Sequence, residues 1–426
     1  MKKYKSRVSD AVLMRKLESA GAVLIEGAKW CGKTTSATQF AKSVLYMQDP
    51  DQQNLELAAI KPSRLLQGDV PRLIDEWQVA PQLWDSIRFE VDRRDEFGQF
   101  ILTGSSVPAD MSKVHHSGAG RITKMIMRPM SLFESGESSG EVSLSNLFED
   151  NENLEKNIEG HNDIDLDQMA FLICRGGWPR SLDCKPEIAL QQAVNYYSTI
   201  IETDISETDN IRRNKERVSR LMRSCCRSIG SQINIQIICH DLAVNEAHPL
   251  SDETVSSYIT ALKNIFVVEN SPAWNPNLRS KTAVRTSDTL YFTDPSIGVA
   301  ALGIGPNDLV NDLRTMGLLF ENLCVRDLRI YAEALDGNVY HYRDKNGLEC
   351  DAVIHLRNGK YGLIEIKLGG EHRISEGIEI LNKLESNIDT QKMPKPSFKM
   401  VLTAVGQYAY KQKDDVLIVP IGSLKM

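Results

Sequence analysis

Short apolar runs alternate with stretches of helical spacing through the first third of the chain. Ala22-Val23-Leu24-Ile25 reads as a strand, and after a glycine-bounded turn Ser36-Ala37-Thr38-Gln39-Phe40-Ala41 reads as a helix. Val70 to Trp77 is patterned as a buried strand that ends in two carboxylates, and Phe100-Ile101-Leu102-Thr103-Gly104-Ser105-Ser106 as a third strand that ends in hydroxyls. This alternation predicts an α/β fold.

From Glu134 to Gln168 the pattern fades into Glu, Asp, Asn, Ser and Gly, as in Phe148-Glu149-Asp150-Asn151-Glu152-Asn153. A segment so poor in apolar surface predicts a mobile acidic insertion. Order is expected again near Met169, with a helix stop at Gly176-Gly177-Trp178-Pro179 and a helix from Ala189 to Ile201 ending around Asp204. Between Arg212 and Ile229, Val218, Leu221, Met222, Cys225 and Ile229 fall on one helical face, with Arg213, Arg217, Arg220, Arg223 and Arg227 largely on the others. Ser251 can cap a helix in which Val255, Tyr258, Ile259, Leu262, Ile265 and Phe266 recur at helical spacing. The strand Val267-Val268-Glu269-Asn270 follows, closed by Pro272 and Pro276, and the sequence of helices and short strand predicts a winged helix-turn-helix. Two alternating arms, Glu349 to His355 and Tyr361 to Lys367, flank Asn358-Gly359 as an antiparallel hairpin. Further strands lie near Met400-Val401-Leu402 and Val416-Leu417-Ile418-Val419.

At 426 residues the chain exceeds what one core usually supports, so several domains are expected. Hydrophobic residues at 42% and charged residues at 25% are those of a globular protein, and the net charge of −7 excludes wholesale coating by nucleic acid without excluding a local basic face. No segment has the length of a membrane span, and Met1 to Arg7 is not backed by the apolar stretch of a signal peptide. The eight cysteines lack Cys-x-x-Cys spacing, and Cys225 and Cys226 are adjacent, which predicts reduced thiols in a cytoplasmic protein.

The turn after the first strand, Gly27-Ala28-Lys29-Trp30-Cys31-Gly32-Lys33-Thr34, matches G-x-x-x-x-G-K-[ST] in strand–loop–helix context. Gly27 and Gly32 let successive N–H groups face one centre, and the run from Gly27 through Thr35 is the candidate nucleotide cradle. Lys33 is expected to reach the β- and γ-phosphates, and Thr34 to offer its hydroxyl to Mg²⁺. Asp75 is a second metal-holding candidate and Glu76 the residue that orients or deprotonates the attacking water. Thr103 or Ser105 is placed to sense the γ-phosphate. Arg88, Arg93, Arg94 and Arg121 are available to offset phosphoryl charge, with Arg121 the preferred finger, which requires an oligomer if it acts in trans.

Gly27 to Thr34, Leu73-Ile74-Asp75-Glu76, Ile101 to Ser106, Gly120-Arg121-Ile122 with Arg128-Pro129-Met130-Ser131, and Cys174-Arg175-Gly176-Gly177-Trp178-Pro179 together resemble the AAA-type ATPases of bacteria and archaea that carry an uncharacterised C-terminal domain. The resemblance covers nearly the whole chain. It implies a phosphate-loop sheet over residues 1–133, ATP as ligand with Mg²⁺, hydrolysis and a cytoplasmic location, and it names no substrate.

The basic helix offers Arg213, Arg217 and Arg220 either to a nucleic-acid backbone or to the acidic insertion. On the capped helix that follows, Ser256, Ser257, Thr260 and Lys263 are poor readers of base edges, so protein contact or nonspecific backbone contact is at least as well supported as sequence reading. In the last third, Asp351 on one hairpin arm and Glu365 with Lys367 on the other resemble the Asp…Glu-x-Lys core of restriction-endonuclease-like nucleases, with Glu321 on the preceding helix as a further acid. That resemblance implies a second Mg²⁺ on Asp351 and Glu365 and a water positioned by Lys367. A strict two-residue turn would leave Asp351 and Glu365 on opposite faces. A three-residue loop, with Gly359 at positive φ, Asp351 opposite Lys367 and Val353 opposite Glu365, gathers them. His341, His355 and His372 have no zinc spacing.

The expected organisation is thus an ATPase domain (1–133), an acidic insertion (134–168), a helical connector (169–210), a winged-helix-like domain (211–300) and a nuclease-like α/β domain (301–426). The favoured function is an ATP-driven switch or motor coupled to a domain that processes or senses nucleic acid. The alternatives are a regulatory ATPase whose C-terminal domain only binds a partner, and a DNA-binding regulator that holds nucleotide without hydrolysing it.

Overall fold

In the computed structural model, all residues are described except 1–3, 51–52, 111, 113, 150–157, 159, 208–210, 212, 233, 244–250 and 277–286. Two compact units are built from interleaved stretches of chain. The first comprises Met1–Pro129, Ser198–Lys215 and Ser257–Val267, and the second comprises the remainder.

The first unit is a parallel sheet with helices. Its elements are α1 (Val8–Leu17), β1 (Ala22–Glu26), α2 (Lys33–Phe40), β2 (Ser43–Tyr46), α3 (Gln53–Ile60), β3 (Arg72–Asp75), α4 (Leu83–Arg94), β4 (Phe100–Gly104) and β5 (Ile122–Ile126). Strand order is β2-β3-β4-β1-β5. The continuous apolar runs noted in the sequence are explained by burial: every residue of β4 and the first four of β1 are inaccessible. Ala22, Leu24, Ile74, Phe100 and Leu102 pack with Trp77, Trp84 and Ile87 in one core. Because β4 lies between β1 and β3, the hydroxyls at its end fall between the turn after β1 and the carboxylates after β3.

In the second unit follow α5 (Leu132–Ser135), β6 (Val142–Ser143), α6 (Leu144–Glu149), α7 (Leu166–Arg175) and α8 (Pro186–Thr199), which runs on into the first unit. A π-helical turn (Ile200–Asp204) and the single turn α9 (Ile205–Glu207) belong to the first unit. Next come α10 (Lys215–Arg227), α11 (Ile235–Ala243), α12 (Asp252–Asn264), which from Ser257 belongs to the first unit, and β7 (Val268–Ser271) paired antiparallel with β8 (Thr289–Phe292). The chain continues through α13 (Pro295–Leu302), α14 (Pro306–Asn311), the long α15 (Leu313–Ala334), β9 (Gly337–Arg343), β10 (Glu349–Leu356), β11 (Tyr361–Lys367), α16 (Glu371–Ser386), β12 (Phe398–Thr403), β13 (Tyr410–Lys411), β14 (Val416–Pro420) and β15 (Leu424–Lys425). A six-stranded mixed sheet, ordered β13-β14-β12-β11-β10-β9, forms its centre.

Part of the segment expected to be a mobile acidic insertion is ordered. Val142, Leu144, Leu147 and Phe148 are buried, Phe148 packs edge-on against Phe398 at 5.0 Å, and Lys360 Nζ donates to the Phe148 carbonyl at 2.6 Å. Four apolar side chains in seven residues anchor it, a local signal that the acidic average over 134–168 conceals. Residues 150–157, with Asp150, Glu152 and Glu155, lie outside the described residues.

The hairpin of β10 and β11 closes through three residues, Arg357 to Gly359. Leu356 N donates to Lys360 O at 2.9 Å, and Gly359 has φ +88°. Its register differs from the expected one: Val353 faces Leu363, not Glu365, and Ala352 faces Ile364. Continuing that register sets Asp351 opposite Glu365. The slip is by two residues, so the three polar side chains stay on one face.

Candidate functional site

The turn after β1 is shaped by its glycines. A Cβ on Gly27, at φ +154°, would sit 2.1 Å from the Met127 carbonyl oxygen, and Gly32 caps α2 at φ +106°. Trp30 takes φ +68° and is exposed, whereas Cys31 is fully buried with its Sγ on the Met127 carbonyl at 3.3 Å, a filler and not a reactive thiol. Ala28 is buried and Thr35 exposed in the first turn of α2. Lys33 is 5% exposed, and its Nζ donates to the Gly27 and Ala28 carbonyls at 2.8 and 2.9 Å. The ammonium is thus stored against the loop that would receive the phosphates.

Thr34 Oγ1 donates to Asp75 Oδ1 at 2.7 Å, and Thr103 Oγ1 donates to the same oxygen at 2.6 Å. A hydroxyl and a carboxylate meeting as hard oxygen donors beside a phosphate cradle fit a Mg²⁺. Glu76 adopts left-handed backbone (φ 55°, ψ 50°), unusual for a residue with a Cβ and of the kind that persists where function demands it. Its N–H donates to Thr103 Oγ1 at 3.1 Å, and Ser105 Oγ donates to its Oε2 at 2.8 Å. Thr103 and Ser105, expected to read the γ-phosphate, here orient the two carboxylates.

Arg121 does not belong to this chain's own phosphate site. The register Ala22↔Ile122 to Glu26↔Ile126 puts it before β5, level with Gly21 and at the opposite end of the strands from the loop, about 20 Å from Gly27 for six residues at 3.3 Å each. It pairs there with Asp92 at 2.7 Å. Arg88 also pairs with Asp92, and Arg93 and Arg94 with Glu90. Three residues that the motifs left out adjoin the site, two at the loop and one at Glu76. Arg7 donates to the Cys31 carbonyl at 3.0 Å and the Arg128 carbonyl at 2.9 Å, Asp204 holds Lys29 Nζ at 2.6 Å, and Gln78 contacts Glu76. Arg7 and Asp204 are buried, one reached across 24 residues and the other across 175, so no local pattern announced them.

The basic helix is largely used internally. Arg213 is buried, donating to the Ile205 carbonyl at 2.8 Å and lying 5.5 Å from the Tyr258 ring centre. Arg220 pairs with Glu216, Arg227 with Asp241, and Arg223 caps the end of α13 through the Ala301 and Leu302 carbonyls. Arg217 is half-buried. Arg213 is therefore withdrawn as a nucleic-acid contact, because a guanidinium committed to a buried carbonyl cannot reach a phosphate.

On the second unit's sheet, Asp351, Glu365 and Lys367 converge. Lys367 Nζ lies 2.6 Å from Glu365 Oε2 and 3.2 Å from Asp351 Oδ2, Asp351 N donates to Glu365 Oε1 at 3.3 Å, and Ile366 N to Asp351 Oδ2 at 2.7 Å. Glu321 shares with Asp351 the wall of a cleft of about 220 Å³ and accepts from the Tyr291 hydroxyl at 2.7 Å. Among the described residues no group of three or more His, Cys, Asp or Glu is placed to hold a metal. Asp351 and Glu365, the pair expected to share a second Mg²⁺, are bridged here by Lys367. The Lys367 ammonium stands between the two carboxylates, with Ile366 N on the same Asp351 oxygen and Asp351 N on the second oxygen of Glu365. His341 is buried, and His355 accepts from Trp274 Nε1 at 3.1 Å, so both are structural.

Burial, reinforced by the Asp351 charge, pushes Glu321 up to about 8. Burial works against the Lys367 charge, but Asp351 and Glu365 hold it above the ordinary range. A carboxyl raised on folding retains its proton in the native state after the unfolded chain has lost it. Its stabilisation is complete below the ordinary carboxyl range and falls as pH rises from there towards 8, by at most about 1.4 kcal/mol per pH unit. Glu321→Gln is expected to flatten that slope and raise the apparent melting temperature of the second unit at pH 8, read by calorimetry from pH 5 to 8.5.

A family model described as an AAA domain matches residues 19–135, and two described as domains of unknown function (DUF8612 and DUF4143) match 166–308 and 316–424. The uncharacterised proteins Rv2008c of Mycobacterium tuberculosis and Mb2031c of Mycobacterium bovis are each 22% identical over 418 residues, covering 97% of this chain and 83% of theirs. Among solved structures, the Walker-type ATPase paby2304 of Pyrococcus abyssi aligns with 70% of this chain and 96% of its own at 14% identity and TM-score 0.42. The Aeropyrum pernix ORC1 protein in complex with DNA aligns with 74% and 95% at 13% identity and TM-score 0.22. The match over residues 19–135 supports an ATP-binding ATPase at the level of that domain family, and among the described residues no helix is long and apolar enough to cross a membrane.

Proposed function

We propose that the chain is a Mg²⁺-dependent ATPase that acts as a switch or motor for a nucleic-acid-processing domain. The observation that carries it is the meeting of Thr34, Asp75 and Thr103 on one carboxylate oxygen, beside the stored Lys33 ammonium. Lys33 turns from its own loop carbonyls to the phosphates, and Thr34 and Asp75 hold the Mg²⁺, which supplies charge neutralisation. Glu76 orients a water and takes its proton. The water oxygen bonds to the γ-phosphorus while the bond to the β,γ-bridging oxygen breaks and ADP leaves. With Arg121 at the far end of the sheet, any arginine finger of that kind comes from a second copy of the chain.

Three helices followed by the β7/β8 pair support a winged-helix reading of the middle segment. The convergence of Asp351, Glu365 and Lys367 supports a restriction-endonuclease-like reading of the last domain. The bridging ammonium favours the rival, a domain that binds a partner without cutting.

Two assays test this. Phosphate release from ATP should depend on Mg²⁺ and be lost in Glu76→Gln. Metal-dependent cleavage of DNA or RNA should be lost in Asp351→Ala and Lys367→Ala. Hydrolysis without any cleavage selects the partner-binding reading, and nucleotide binding without hydrolysis selects the non-hydrolysing regulator.

A further inference from the structure

Gln78 lies two residues past Glu76 in the short turn Trp77–Val79. Its Nε2 donates to Glu76 Oε2 and lies 3.3 Å from Ser105 Oγ, which itself donates to the same carboxylate oxygen at 2.8 Å. Two donors from different elements therefore fix one oxygen of Glu76. No bond engages Oε1 among the described residues, so the carboxylate is held by one oxygen and open at the other. The left-handed backbone of Glu76 sets the direction from which its side chain enters this grip.

The grip is kept at the expense of other groups. Gln78 Oε1 is buried without a hydrogen-bond partner among the described residues, an arrangement that ordinary packing avoids. Gly104, at the end of β4, leaves the slot for the amide: a Cβ there would lie 3.3 Å from Gln78 Oε1 and 3.0 Å from Trp77 Nε1. A surface glutamine would need neither concession.

We infer that Gln78 is a positioning residue for ATP hydrolysis, pinning Glu76 Oε2 so that Oε1 faces the attacking water. This rests on the hydrolytic reading of the site above. Gln78 touches neither water nor nucleotide; it acts through Glu76.

Two variants of the full chain test it, assayed as ATP turnover with Mg²⁺ across pH. Gln78→Met keeps the length of the side chain and removes the donor. It should lower kcat at least about tenfold with little change in KM, since the lost interaction serves the reaction and not binding. Gln78→Glu is nearly the same shape but puts a second carboxylate on Glu76, which binds a proton more tightly. The acidic limb of its kcat–pH profile should move up by about one pH unit, a response that a packing role would not produce. Wild-type turnover with kcat and acidic limb unaltered in both variants, or a rise in KM alone, overturns the role of Gln78 and leaves the hydrolytic reading standing. A wild-type chain that binds Mg²⁺ and ATP but never turns ATP over overturns both.

Discussion

Lys33→Ala is expected to lower ATP turnover on the order of 10²–10³-fold, the loss typical of removing one preorganised donor from developing phosphoryl charge. The side chain is buried, and among the described residues its ammonium bonds only to the Gly27 and Ala28 carbonyls of its own loop. A buried ammonium satisfied by two neutral carbonyls is poised to exchange them for phosphate oxygens, which are charged acceptors and form stronger hydrogen bonds. Lys29→Ala is the control within the same loop. Its ammonium is more than one-third exposed and held by Asp204, so its loss should change turnover by less than about tenfold, as suits a partly screened ion pair. Phosphate release by both variants under identical Mg²⁺ and ATP separates the two lysines. Equal losses would mean that loop charge in general matters, and not the stored position of Lys33.

Arg326→Leu is expected to give the largest loss of stability, about 3–5 kcal/mol, because it strands buried charge. Arg326 is 1% exposed and pairs with Asp294 at 2.7 Å and Asp327 at 2.8 Å, both fully inaccessible. The two carboxylates also serve the backbone. Asp294 caps α13 through Ser296 N at 3.0 Å and accepts from Gly177 N at 2.9 Å, and Asp327 accepts from Leu132 N at 2.9 Å. Without the guanidinium these acceptors remain, but two negative charges face each other in a dry interior. Burial already pushes Asp327 up to about 6 with the arginine present. Removing the arginine raises it further, so the variant's deficit should be larger at pH 8 than at pH 5, where the native state can hold the proton. Arg326→Leu with Asp327→Asn should recover part of the loss, a coupling expected of contacting residues. Urea unfolding of the second unit at both pH values reads all of this.

The parts of the first unit that could be read from sequence are those whose geometry is local. The turn from Gly27 to Thr34 carries its own shape, since a Cβ at 27 collides with backbone and Gly32 needs its left-handed φ. The carboxylates after β3 and the hydroxyls after β4 follow from apolar runs that end in polar residues. What failed to show depends on neighbours far along the chain. Arg121 looks well placed in sequence, but only the parallel pairing of β1 with β5 reveals that it lies at the wrong end of the strands. Gln78 sits beside the motif yet has no motif of its own, because its role depends on Ser105 from the next strand.

The second unit divides in the same way. Alternation along β10 and β11 predicts which side chains share a face, because a strand has period two. It does not predict which of two registers of equal parity is adopted, and the loop formed one residue earlier than expected. The arginines of α10 showed as a stripe of charge, but the partners of Arg227 and Arg223 come from α11 and α13, which the stripe does not encode. For Val142 to Phe148, averaging over a long acidic window hid four buried side chains.

Isothermal titration of the full chain with ATP in Mg²⁺ tests the central claim most directly. The account predicts saturable binding at one site per chain, abolished in Lys33→Ala and weakened when EDTA removes the metal. Absence of binding by the wild-type chain, or equal affinity in wild type and Lys33→Ala, would contradict it.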